Sequence, residues 1–319
     1  MLNNCYPVIL SARLTQALSG YQFTNGVISL KLVTFIRNAS AQEELGVMRG
    51  ERVLPLREAG FSYADMNELI LCSTREERAG MAAADGATLP LEEITLLSPI
   101  PRPLQDVLCL GLNYAAHARE ASGFSKDAFG VELAAPIFFS KRVNYSQGTG
   151  APIPAHRDLT AQLDYENELA VIIGRDADHI SEEEVKDYIF GYTILNDVSA
   201  REIQTRHKQW HFGKSLEGFC PMGPCIVTSD ELPYPPAQRI HTTLNGRLMQ
   251  DSRTDFLIHS IDEIVSVLSQ GFVLRAGSII ATGTPKGVLM GTEGAAFLQP
   301  GDEVVCAIEG IGELKNTVE

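Results

Sequence analysis

Asp164-Tyr165-Glu166-Asn167-Glu168-Leu169-Ala170-Val171-Ile172-Ile173-Gly174 runs from three acidic side chains straight into five apolar ones. The apolar run reads as a strand that dives into the core. Side chains alternate along a strand, so residues two apart share a face. Glu166 and Glu168 therefore project side by side at the mouth of the strand, where their repulsion calls for a cation or for solvent. A second apolar strand, Tyr192–Leu195, ends in Asn196-Asp197, and a third carboxylate there would close a three-oxygen site. Carboxylates without a nearby His or Cys ligand select hard cations: Mg2+, Mn2+ or Ca2+. On spacing alone, a solvated acidic strand edge with an unrelated aspartate in a turn fits equally well.

Strand patterns dominate on either side of this stretch. They are Val107–Gly111, Ile137–Phe139, Ile226–Val227, His241–Leu244, Ser278–Ala281 and Glu303–Ile308, separated by turn chemistry such as Asn245-Gly246 and Pro300-Gly301-Asp302. Helices are fewer: Ala115–Ala121, Ser181–Asp187, and Ile261–Ser269 with Ser260 and Glu263 spaced for a capping box. Upstream, Leu30–Ile36 is the first clear strand, Arg49-Gly50 marks a hairpin, and helical patterns cover Tyr63–Cys72 and Thr74–Ala84. Pro99, Pro101 and Pro103 form a stiff connector. The expected organisation is an extension over 1–29, a small α+β N-terminal domain over 30–98, and a β-rich catalytic domain over 99–319.

The 319 residues are 45% hydrophobic, enough for a large core, and 26 basic against 40 acidic side chains leave a net charge of −14. That balance argues against nucleic acid, which needs clustered Lys and Arg. No apolar run reaches the ~20 residues of a membrane span, and the N-terminus lacks the basic start of a signal peptide. The six cysteines form no C-x-x-C pair and suit a reducing, cytoplasmic setting. Cys220 and Cys225 read as buried packing.

Several side chains offer chemistry. His117 and Glu120 are three apart at the start of a helix, hence on one face; a glutamate on one imidazole nitrogen would orient the ring so that the other can deprotonate water. An isolated H-x-x-E is more often a plain surface pair. Gly123 to Gly130 is polar and glycine-bearing, as a lid or a surface loop would be. Arg201, four residues after Asp197, suits bidentate carboxylate binding. Lys214, among apolar and aromatic neighbours, would stabilise an oxyanion. Each could equally serve a structural salt bridge. Trp210 reads as core. Gly283 and Thr284, in the Ala281–Gly287 loop after an apolar strand, offer an amide and a hydroxyl to a substrate carboxylate. Neither this loop nor Gly148-Thr149-Gly150 has a phosphate-binding or dinucleotide spacing, so no organic cofactor is expected.

With those residues in place, the chain resembles the fumarylacetoacetate hydrolase family over roughly 100 to 315. The blocks that carry the resemblance are NYAAHARE at 113–120, LDYENELAVIIG at 163–174, GYTILNDVSARE at 191–202, WHFGKSLEGFCPMGP at 210–224 and IIATGTPKG at 279–287. They are most similar to the branch that processes oxaloacetate and cleaves acylpyruvates. The resemblance implies a mixed β-roll, usually a homodimer, with Mg2+ or Mn2+ on Glu166, Glu168 and Asp197. It makes His117 and Glu120 a water-activating dyad on a lid, places Lys214 and Thr284 against substrate, and sets Arg201 near the metal. The expected substrate is a small 2-oxo acid, cleaved at a carbon–carbon bond through a metal-stabilised enolate, by acylpyruvate-type hydrolysis or oxaloacetate decarboxylation. Tautomerisation or isomerisation of oxaloacetate or hydroxymuconate-type diacids is the alternative, and a non-catalytic metal-stabilised binding protein comes last.

Overall fold

The fold comes from a computed structural model and is described for residues 30–130, 134–294 and 296–319; the 1–29 extension lies outside the described residues. The described chain opens with β1 (Lys31–Arg37), β2 (Glu43–Arg49), β3 (Arg52–Pro55), helices α1 (Met66–Cys72) and α2 (Arg75–Ala83), and the short strands β4 (Leu89–Pro90) and β5 (Ile94–Leu96). After the prolines come β6 (Val107–Gly111), α3 (Ala115–Phe124), α4 (Lys126–Phe129), β7 (Ile137–Lys141), β8 (Leu163–Asp164) and β9 (Asn167–Ile173). β10 (Ile189–Asn196), β11 (Ser199–Ala200), α5 (Arg201–Arg206), α6 (His211–Lys214) and β12 (Met222–Thr228) come next. The last part holds β13 (Arg239–Leu244), β14 (Arg247–Arg253), α7 (Ile261–Gly271), β15 (Ile279–Ala281), β16 (Glu303–Ile308) and β17 (Gly312–Thr317).

Eleven described strands make one mixed sheet, in the order β4-β3-β2-β1-β12-β10-β9-β15-β6-β7 with β5 on β1. Every residue of β9, β10 and β12 is buried, as their apolar runs require of strands covered on both faces. β14-β13-β16-β17 form an antiparallel second sheet, and Val33, Val171, Ile240, Val304 and Leu314 from both sheets share one core. This is the expected α+β, β-rich class. β1 pairs with β12 through Lys31↔Val227 and Leu32↔Ile226, and Leu32, Leu54 and Met66 pack with Ala170, Met222 and Ile226. The 30–98 segment therefore shares both a sheet and a core with the catalytic part of the chain.

Some local expectations change. Ser181 opens a 3-10 turn over Glu182–Asp187 rather than an α-helix, because β10 begins only two residues after it. Ser260 does cap α7, accepting from the Glu263 N–H at 3.1 Å, but the Glu263 carboxylate turns to His259 Nδ1 at 2.9 Å, so the box is half formed. The Gly123 to Gly130 stretch is helical: α3 runs through Gly123 to Phe124, and Ser125 caps α4. β14 and β17 have no counterpart in the sequence reading, because each turns one polar face to solvent.

Candidate active site

Register brings the three carboxylates together. β9 and β10 pair antiparallel with Leu195 opposite Glu168 and Asn196 opposite Asn167. Asp197, the next residue, donates its N–H to Glu166 O at 2.8 Å, and Asn196 Oδ1 accepts from Glu166 N at 3.0 Å. One carboxylate oxygen from each of Glu166, Glu168 and Asp197 lies within 4.8 Å of the others, and all three residues are buried.

Cations surround this cluster unevenly. Lys214 Nζ lies 2.7 Å from both Glu166 Oε2 and Asp197 Oδ2. Arg201 Nη1 reaches Glu166 Oε1 at 2.6 Å, and its Nε and Nη2 each sit 2.9 Å from Asp164 Oδ2. Lys141, fully buried, donates to Asp197 Oδ1 and, at 3.0 Å, to Val198 O. Four carboxylates (Asp164, Glu166, Glu168, Asp197) thus face three cations (Lys141, Arg201, Lys214), and Glu168 is the one with no ion pair among the described residues. Glu168 Oε2 accepts from Gly283 N at 2.7 Å, whereas its buried Oε1 has no partner.

Titration reflects that imbalance. Burial works against charge on Glu166, but Lys214 and Arg201 outweigh it and hold this carboxyl well below the usual range. Burial, then Asp197 and Glu166, push the Glu168 carboxyl well above its ordinary value, against the pull of Lys214 and the Gly283 N–H. Burial lowers Lys214, yet Asp197 and Glu166 more than restore it and it stays charged. A dication meets what the donor set lacks: it takes hard oxygens, supplies the missing positive charge and gives Glu168 Oε1 a partner. Glu166, Glu168 and Asp197 are the residues that fit it.

His117 on α3 lines a pocket, and its Nδ1 lies 3.3 Å from Glu120 Oε2 on the same helix. Gly287 N–H donates to both Glu120 oxygens, at 3.1 and 3.2 Å, so the carboxylate is fixed from outside its own helix. With Nδ1 taken, Nε2 is the nitrogen left for chemistry. A single pocket is lined by His117, Glu166, Arg201, Lys214 and Thr284, and walled by Phe129, Phe139, Trp210 and Met290. Lys214 Nζ lies 5.3 Å from the centre of the Phe139 ring. Glu166 of the acid cluster, a charged ammonium and an oriented imidazole thus share one pocket, with aromatic side chains beside them.

The sequence pattern of the family described as fumarylacetoacetate (FAA) hydrolase C-terminal matches residues 106–319. The chain belongs to the fumarylacetoacetate hydrolase family. All five sequence blocks named above fall inside that match. Oxaloacetate tautomerase YisK of Bacillus subtilis (strain 168) is 42% identical over 228 residues, which cover 72% of this chain and 74% of that protein. Among solved structures, a fumarylacetoacetate hydrolase from the psychrophilic Exiguobacterium antarcticum superposes with a TM-score of 0.77 at 34% identity, covering 91% of this chain and 99% of that one. A 2-hydroxyhepta-2,4-diene-1,7-dioate isomerase from Mycobacterium marinum does so with a TM-score of 0.67 at 30% identity, covering 91% and 98%. The chain is an enzyme of this family, whose members act on ketonic compounds.

Within this family fold, the expected site residues meet in one place, with some in different settings from those expected. Gly283 spends its N–H on Glu168 (2.7 Å), and Thr284 Oγ1 donates to Asn167 O (2.9 Å) while accepting from Gln250 Nε2 (2.8 Å). Both groups are engaged within the protein, although Thr284 still lines the pocket. Arg201 grips Glu166 and Asp164 rather than standing free. Trp210 is a pocket wall, not core: it packs on Phe129 and Phe139 and covers Gly111, where a Cβ would lie 2.1 Å from the indole. Cys220 and Cys225 are buried, and burial pushes their thiols up to about 12, as packing residues. The sequence reading missed Lys141, Asp164 and Gln204. Lys141 had a signal, a lysine ending the apolar run Ile137–Lys141. Asp164 and Gln204 had none beyond neighbourhood, since their roles depend on Arg201 lying between them.

Proposed function

We propose that this chain is a divalent-cation-dependent enzyme of small 2-oxo diacids that works through their enol form, with oxaloacetate-type tautomerisation as its reaction. The observation that carries this is the shared pocket wall of Glu166, Lys214 and His117. The tautomerase of Bacillus subtilis and the dioate isomerase of Mycobacterium marinum support moving a proton ahead of breaking a bond. A dication on Glu166, Glu168 and Asp197, Mg2+ or Mn2+ before Ca2+, would act as a Lewis acid toward the 2-oxo group. Lys214 Nζ offers a fixed positive charge to the oxygen that gains electron density. His117 Nε2 takes and returns the proton on the neighbouring carbon, while Glu120 on Nδ1 keeps the ring in the needed tautomer. Phe129, Phe139, Trp210 and Met290 exclude water.

Carbon–carbon cleavage is a second reading, favoured by the Glu120-oriented His117, which is also how a water is activated for attack on a distal carbonyl. A homodimer in the cytoplasm goes with either reading. Among the described residues no helix is long and apolar enough to cross a membrane. The test tracks oxaloacetate enol absorbance and pyruvate release in parallel, with chelator and with Mn2+ added back. Faster enol loss without pyruvate, abolished by chelation and reduced roughly 10²–10⁴-fold in His117→Ala, is the expected result. Pyruvate release would move the assignment to cleavage. Turnover untouched by chelation would sink both.

A further inference from the structure

Glu120 is kept on His117 by neighbours outside its own helix, and their importance rests on the role proposed for that pair. Gly291 ends a 3-10 turn over Leu289–Gly291, directly against the pair. Its backbone is not in the left-handed region, so nothing in φ demands glycine there. Space does: a Cβ at 291 would lie 1.6 Å from Glu120 Cγ, 2.2 Å from Cδ and 2.6 Å from Oε1. Those three nearest atoms all belong to Glu120. We infer that Gly291 is a positioning residue of the reaction, its missing side chain being the space through which Glu120 reaches His117.

The turn is not free to back away. Leu289 N and Met290 N donate to Asp164 Oδ1 and Oδ2 at 2.8 and 3.0 Å, and Asp164 is fully buried on Arg201. Thr292 Oγ1 closes the turn on Val288 O at 2.8 Å. On its other side the carboxylate meets Gly287, whose N–H holds both oxygens. Gly287 can itself take no side chain: its φ is +106°, and a Cβ there would stand 2.1 Å from Met249 O. Tyr165 Oη, one residue before Glu166, donates to Gly287 O at 2.8 Å. Glu120 is therefore clamped between two glycines of one segment, 287–291, that is tied to Tyr165 and Asp164 in the stretch leading into the acid cluster. A methyl group at 291 leaves only the Glu120 side chain to move, away from His117 and from the Gly287 N–H. The acid cluster makes no contact with Gly291 among its nearest neighbours and keeps its geometry.

The experiment is a double-mutant cycle in the Mn2+-supplemented full chain, with oxaloacetate as probe substrate: Gly291→Ala, Glu120→Ala and the two together. Expected are a fall in kcat of at least about 10²-fold in each single variant, in the range of a lost proton-transfer group, with KM little changed and the Mn2+-induced rise in Tm kept. The double variant is expected to be no slower than Glu120→Ala alone. In thermal melts, Gly291→Ala lowers Tm in the parent but not in the Glu120→Ala background, where the obstacle is gone. Gly291→Ala that keeps parental kcat while Glu120→Ala loses it overturns the inference and leaves the pair's role intact. Glu120→Ala that keeps its kcat sinks the role of the pair, and this inference with it. Should the parent not turn over oxaloacetate, the melts decide alone: non-additive shifts sustain the placement of Glu120 by Gly291, and additive shifts overturn it.

Discussion

Glu168 differs from its two partners in having hydrogen-bond support on one oxygen only and no cation of its own. Burial and the charges of Asp197 and Glu166 raise its pKa in the folded chain, whereas an unfolded glutamate titrates near ~4.3. Between those two values the cation-free native state holds a proton that the unfolded state has lost. Native stability therefore falls as pH rises through that window, the reverse of the salt-bridged carboxylate case. A dication displaces the proton, so its stabilising effect must grow with pH over the same window. The expected outcome is a Mn2+-induced Tm increment that rises with pH, with proton release visible as a dependence of binding enthalpy on the buffer's ionisation enthalpy. An increment that shrinks with rising pH would contradict the assignment of the unpaired charge to Glu168.

Among the elements, the turn after β15 matters as much as the strands. Gly283 has φ +98°, and a Cβ there would come within 2.8 Å of Asn113 Cβ, two residues before helix α3. Gly283→Ala combines a left-handed conformation that costs an L-residue roughly 1–2 kcal/mol with that overlap. It should destabilise by more than this backbone cost alone and weaken Mn2+ binding, because the Gly283 N–H supports Glu168; urea unfolding and a Mn2+ titration measure the two effects. A variant of parental stability would show that the turn is looser than its contacts indicate. The elements that were legible in the sequence are those with one dominant period. β9 and β10 declared themselves because both faces are buried, and α7 because Ile261, Ile264, Val265 and Leu268 share one buried stripe. β14 and β17 read as polar because only alternate residues such as Gln250, Leu314 and Asn316 go inward. The Gly123 to Gly130 stretch, which read as a lid or a surface loop, hid its helices because a single aromatic, Phe129, carries its buried face.

At the scale of the whole molecule, β1 and β12 join the first unit to the catalytic sheet, and the apolar faces of Met222 and Ile226 are covered from that unit. A fragment spanning 99–319 should therefore expose that face, bind a hydrophobic dye such as ANS and lose cooperative melting; a sharply melting fragment would show the two units to be independent. The acid triad was only half legible from spacing, where a solvated strand edge fitted as well; the blocks LDYENELAVIIG and GYTILNDVSARE, which carry the family resemblance, decided between the two. The support around it was not legible, because Gln204 and Gly291 reach the site only through the fold and Asp164, though in the same stretch, takes its role from Arg201 lying between it and Gln204. Whether the triad holds a dication is decided by calorimetric or EPR titration of chelator-stripped protein with Mn2+, beside Glu168→Gln. One Mn2+ per chain is expected, with binding weakened at least ~10-fold in a variant that is folded but has lost one charged ligand. Equal affinity in parent and variant, or no binding by the parent, would refute a metal centre built on Glu166, Glu168 and Asp197.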